Sequence, residues 1–210
     1  MGFKDRLLNI LLYPQRLFSG LTDKRPTLCA GIIIIGFIDL FMPDFINTYK
    51  LLFTHMPASS VRWNILASVG VVLLLGAVDT VFFSVPLYDL FKWLKKKEDK
   101  PHNASPVKMI KVYILSHFIV VPINSILYYA AFRGVTENSG VFIKNFYLIY
   151  FFIILIWSSA IVTRGVNTLF DFNPVFRRLT FIIVFTWNFL LGMVFELQIL
   201  NWLLMLFKQT

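Results

Sequence analysis

The sequence predicts an all-α fold, a polytopic membrane helix bundle of about five transmembrane helices preceded by a short amphipathic surface helix. Three observations carry that prediction. Hydrophobic residues make up 58% of the 210 residues and charged residues only 15%, a balance that leaves too little polar surface to cover a water-soluble core of this size. Several apolar stretches approach or exceed the roughly 20 residues that a helix needs to cross the hydrocarbon core. The basic residues fall mainly between those stretches, where topology signals sit.

Residues 1–26 read as an amphipathic lead. Leu7, Ile10, Leu11, Leu17 and Phe18 recur close to helical spacing, with Lys4, Arg6 and Arg16 available for another face, the pattern of a helix lying on a membrane surface. Pro14 and Arg16 break the apolar run and no small-residue cleavage site follows, which argues against a signal peptide. Residues 27–210 read as one transmembrane domain, since no Pro/Gly/Ser-rich linker divides them.

Spans are predicted at Thr27 to Phe45, Trp63 to Phe91, Val107 to Phe132, Phe146 to Val166 and Leu179 to Phe207. The first is interrupted by Asp39 and ended or kinked by Pro43 and Asp44, so a re-entrant segment is its alternative. With the N-terminus in the cytoplasm, the C-terminus lies outside. The Lys92 to Lys111 cluster, Lys24, Arg25, Arg164, Arg177 and Arg178 then share the inner side, and only Lys50, Arg62, Arg133, Lys144 and Lys208 lie outside, as the positive-inside rule expects. Trp63, Trp93 and Trp202 fall near predicted span ends, whereas Trp157 and Trp187 do not fit an interfacial belt.

The formal charge of +9 is read as headgroup and topology charge, which excludes nucleic acid as a partner. The Asn103-Ala104-Ser105 sequon lies on the inner side and is not expected to be glycosylated. Lys95, Lys96 and Lys97 are the candidate contacts to anionic lipid headgroups. The single Cys29 can form no internal disulfide.

No Gly-rich phosphate loop, His-x-x-x-His pair, paired Cys or Gly-x-Ser-x-Gly elbow is present, so no catalytic residue and no cofactor are assigned. The metal question stays open. The candidate intramembrane polar or ion site is made of Asp39, Asp79, His117 and Glu196, because an ionisable side chain in a span is costly unless it is protonated, paired or hydrated. Asp39 and Asp79 share a setting, Gly36-Phe37-Ile38-Asp39 and Gly76-Ala77-Val78-Asp79. The three-residue offset puts Gly and Asp on one helix face, where a neighbouring backbone can approach beside the carboxylate. Counting from the inner span ends puts both roughly 18 to 20 Å deep, as neighbours across an antiparallel helix pair. In the last span Asn188, Gly192 and Glu196 form a polar stripe, read as packing glue or an oligomer seam, or as part of a shared polar cavity. His117 and Asn124 offer the same choice, with Pro122 between them.

The order of features resembles the Yip family of five-span membrane proteins, named for interaction with Ypt/Rab GTPases. The matching pieces are Tyr13-Pro14 and Phe18 followed by Lys24, Arg25 and Pro26; Val107 to Asn124 with Pro122; and Trp157, Gly165, Phe172 and Pro174. A long polar N-terminal region and an Asp-Leu-Tyr-Gly-Pro type motif are lacking, so the chain looks like a compact bacterial-type member. The resemblance implies a non-enzymatic scaffold in the bacterial cytoplasmic membrane, membrane-organising or partner-binding, with a membrane-protein partner or a second copy of itself. A small transporter or channel subunit that uses the intramembrane acids for protons or cations is the alternative. Reporter fusions after Lys97 and after Thr210 are expected to report the cytoplasm and the outside respectively; a cytoplasmic report at Thr210 would remove the five-span topology.

Overall fold

The computed structural model describes residues 9–41, 58–98, 102–132, 135 and 140–194. A helical turn at 9–12 leads through Tyr13, whose φ of 61° turns the chain, to α1 (Gln15–Ser19). Five longer helices follow: α2 (Arg25–Phe41), α3 (Ala58–Lys96), α4 (Pro106–Leu127), α5 (Val141–Phe170) and α6 (Pro174–Val194). A π-helical turn, Tyr128–Phe132, extends α4, and no strand occurs among the described residues.

Local chemistry sets several of these boundaries. Ser105 accepts from the Lys108 backbone N–H as the N-cap of α4, and Pro106 opens the first turn, where its missing N–H costs nothing. Helix α5 ends at Asp171, in the left-handed conformation at φ 47°, with its N–H on the Asn167 carbonyl. Helix α3 runs through Pro86. Beside that break in the ladder the Phe83 carbonyl accepts a 3.0 Å bond from the Trp187 indole.

Val61–Lys96, Pro106–Phe132, Val141–Phe170 and Pro174–Val194 are long and apolar enough to cross a membrane. Helix α2 contributes 17 described residues, so a helix covers the first predicted span as far as Phe41, and residues 42–45 and 195–207 of the first and last predicted spans lie outside the described residues. The observed helices begin earlier than predicted in α3, α5 and α6, because Arg62 and the Lys144 region ride on helical turns beyond the apolar run. Large apolar side chains such as Phe142 (83% exposed), Ile126 (68%) and Phe82 (61%) point away from the bundle. Such surface, untenable in water, suits lipid.

The interior is aromatic. Phe18, Phe91 and Phe170 are fully buried with Met109, Val112, Ile161 and Val166. Phe18 corrects the reading of the lead as a helix that only lies on a surface: its ring sits inside the bundle beside Gly165, where a side chain would press on Val112 and Phe18. The Trp157 indole donates 2.7 Å to the Leu11 carbonyl, and Arg164 donates 2.6 Å to Asn9, so the lead is stapled to α5. Both tryptophans that fit no interfacial belt therefore staple one segment of the chain to another.

One end of the bundle gathers the basic residues, and its lysines hold loops. Lys111 donates to the carbonyls of Thr22 (2.6 Å) and Lys24 (2.9 Å). Lys108 donates to Asn103, at both its carbonyl and its side chain. Lys95, 1% exposed, bonds the Asp171 carbonyl at 2.7 Å and pairs with Glu98 at 2.9 Å. Its assignment as a headgroup contact is corrected accordingly, since an ammonium enclosed by a carbonyl and a carboxylate has no face left for lipid. Lys96 is exposed, and Lys97 lies over the Trp93 ring at 3.6 Å.

Helices α2 and α3 approach at backbone distance. A Cβ on Gly36 would collide with the Val72 carbonyl and come within 2.8 Å of the Gly76 nitrogen; one on Gly76 would collide with the Ile32 carbonyl. The reciprocal contacts, with Leu40 packed on Val72 and Leu75, make the pair antiparallel. Gly31 instead faces Ile114 of α4, and Gly70 faces open space. Gly36→Ala is expected to lower bundle stability in detergent by about 1–3 kcal/mol through overpacking, while Gly70→Ala leaves it within about 0.5 kcal/mol. Thermal unfolding of the two variants side by side checks this.

Candidate functional site: an acidic junction between α2, α3 and α4

The Gly36/Gly76 crossing positions the two aspartates. Each lies three residues beyond its glycine, and the helices run in opposite directions, so Asp39 and Asp79 leave the crossing in opposite senses by about 4.5 Å each. The expectation of equal depth is thereby corrected to a stagger of about 9 Å along the bundle. The carboxyls nonetheless remain within electrostatic reach of one another.

Helix α4 fills the space between them. Tyr113, 5% exposed and stacked on Phe83 at 4.0 Å, extends its hydroxyl to Asp79, 2.9 Å from Oδ1 and 2.7 Å from Oδ2. It lies within electrostatic reach of both acids. His117, one turn further along α4, meets the Tyr113 ring edge-on at 4.3 Å and is an electrostatic neighbour of Asp79. Its Nδ1 sits 3.1 Å from the Tyr113 carbonyl.

The two acids are unequally served. Asp79 accepts the phenolic proton, whereas Oδ2 of Asp39 is buried with no hydrogen-bond partner. The junction thus combines a clasped carboxyl, an unserved carboxyl oxygen and an imidazole. Such a set can share and exchange protons, or receive a cation beside Asp39. No cluster of three or more His, Cys, Asp or Glu suited to a metal occurs among the described residues.

Of the four residues picked from sequence, the structure brings Asp39, Asp79 and His117 together. Glu196 lies outside the described residues. Asn188, from the same predicted stripe, donates 3.2 Å to Ser159 of α5, while Gly192 faces open space. Asn124 is engaged by the Tyr150 hydroxyl at both its carbonyl and its side chain, away from His117's partners. Tyr113 is the member that sequence reasoning missed. Its signal was present in the four-residue spacing to His117, which puts both on one face of α4, but an aromatic in an apolar run reads as core. No protein-family model, curated protein or solved structure matches the chain.

Asp79→Leu strands the Tyr113 hydroxyl in the interior, and a loss of about 1–3 kcal/mol is expected. Asp79→Asn keeps an acceptor and should cost less, and Tyr113→Phe combined with Asp79→Leu should recover part of the loss. A double-mutant cycle on unfolding in detergent measures the coupling, expected between about 0.5 and 3 kcal/mol; additive effects would mean the clasp contributes nothing.

Proposed function

We propose that this chain is a Yip-like, five-span membrane protein of the bacterial cytoplasmic membrane, N-terminus inside and C-terminus outside, acting as a non-enzymatic scaffold that organises the membrane or binds a partner. The observation that carries this reading is how the intramembrane polar groups are used. Tyr113 clasps Asp79, Tyr150 holds Asn124, Asn188 reaches Ser159, and Trp187 bonds the Phe83 carbonyl. These are bonds between helices, the economy of a packed bundle. The apolar run of α2 supports a fifth span, and the basic residues at one bundle end support the orientation. Helix α6 buries only Thr180 and Val184 along its described length, leaving it able to carry a membrane partner or a second copy.

One observation favours a second reading, a small transporter or channel subunit. The unserved Oδ2 of Asp39, with Asp79 and His117 nearby, has the make-up of a proton or cation station.

Proteoliposomes separate the two. With a potassium diffusion potential imposed and a pH dye inside, the scaffold reading expects proton entry equal to that of protein-free vesicles. Entry well above that level that is abolished by Asp39→Asn would establish the transport reading in its place.

A further inference from the structure

A second polar site lies at the basic end of the bundle, away from the acidic junction. A cleft of about 670 Å³ opens between the lead, α5 and α6, with Thr163, Arg164, Asn167 and Arg177 among its polar walls and Leu12 and Phe181 among its apolar ones. That volume is in the range of ordinary ligand pockets.

Two of the polar walls end in groups that the protein does not satisfy. Thr163 is 8% exposed, and its Oγ1 has no hydrogen-bond partner; Oδ1 of Asn167 is likewise buried and unserved. The Asn167 amide is oriented by its Nδ2, which donates to the Arg177 carbonyl at 3.5 Å, so the free position is an acceptor. The cleft therefore offers a hydroxyl that can donate, an amide oxygen that needs a donor, and guanidinium groups. Arg164 is held at Asn9, and Arg177 at the Phe172 carbonyl and, through a 2.8 Å ion pair, at Asp171. Among the described residues, Asp171 is the one carboxylate on the wall; its side chain is 82% exposed at the rim, where water screens it and its bond to Arg177 exchanges readily.

We infer that this cleft binds the headgroup of an anionic phospholipid bearing a free hydroxyl, of the phosphatidylglycerol type. Guanidinium and the Thr163 hydroxyl meet the phosphate. A headgroup hydroxyl donates to Asn167. Leu12 and Phe181 give the cleft an apolar wall that accepts the start of an acyl chain. The apolar wall is what favours a lipid over a soluble phosphate ester, which would leave it wet. Lys95 holds the carbonyl of Asp171 on the cleft wall, Lys96 and Lys97 are not among the described lining residues, and the site does not depend on the role of the acidic junction.

Native mass spectrometry of the full chain, released from detergent with phosphatidylglycerol, phosphatidylcholine or phosphatidic acid, tests the inference. Phosphatidylglycerol should be retained about tenfold more tightly than phosphatidylcholine. Arg177→Gln should weaken it by about tenfold, the scale of one charge-assisted hydrogen bond. Thr163→Val, nearly isosteric, should weaken both anionic lipids. Asn167→Ala should weaken phosphatidylglycerol and spare phosphatidic acid, which lacks the headgroup hydroxyl. Equal retention of phosphatidylcholine, or retention of phosphatidylglycerol unchanged in folded Thr163→Val and Arg177→Gln protein, would overturn the site. Displacement of the lipid by glycerol phosphate at matching concentration would overturn the lipid assignment and leave a soluble phosphate ester as the ligand.

Discussion

The closest constraint in this bundle is the backbone contact of Gly36 with Gly76. With no side chain on either residue, α2 and α3 meet carbonyl to Cα, and everything around the junction inherits its geometry from that approach. Leu40 can then reach Val72 and Leu75, and Asp39 and Asp79 flank one crossing. Helix α4 closes the third side by placing Ile110 and Ile114 on Ile35 and Tyr113 on Asp79. In lipid, where helix burial gains little from water exclusion, close packing and polar bonds between helices supply much of the specificity. The glycine pair provides the first and Tyr113 the second.

The basic end obeys a different logic. Loops there must satisfy backbone carbonyls at the edge of the bilayer, and the lysines do so. Lys95, Lys108 and Lys111 cap carbonyls of the segments around Asp171, Asn103 and Thr22, joining the ends of α2 through α6 into one layer. A lysine stem can run along apolar helix surface while its ammonium reaches such carbonyls. Positive charge at this end thus has two uses in one protein: some of it holds the loops, and the guanidinium groups around the α5/α6 cleft line an open site.

Scaffold and proton station make different demands on Asp39. A packing carboxyl wants its oxygens occupied, and at Asp79 they are. Asp39 keeps a buried oxygen without a partner, at a cost of about 1–3 kcal/mol for such a group. Within the junction, that departure is the place where function and packing part company.

Composition, the apolar runs and the Lys/Arg spacing determined by themselves that this is a membrane helix bundle, because lipid admits so few backbone solutions that hydropathy nearly suffices. The Gly-x-x-Asp repeats also made the close approach of α2 and α3 legible, since a three-residue offset on a helix is a statement about one face, but not the stagger of Asp39 and Asp79 about the crossing. Which glycine faces which helix was not legible: Gly31, Gly36, Gly70 and Gly76 look alike in sequence, yet they face Ile114, α3, open space and α2 respectively. Tyr113, Trp157 and Trp187 read as apolar bulk until a partner from another helix stood opposite their polar atoms. Lys95 read as surface charge until Asp171 and Glu98 enclosed it. Period and polarity are properties of one helix, but a hydrogen bond between helices depends on rotation and register, and only the assembled bundle decides those.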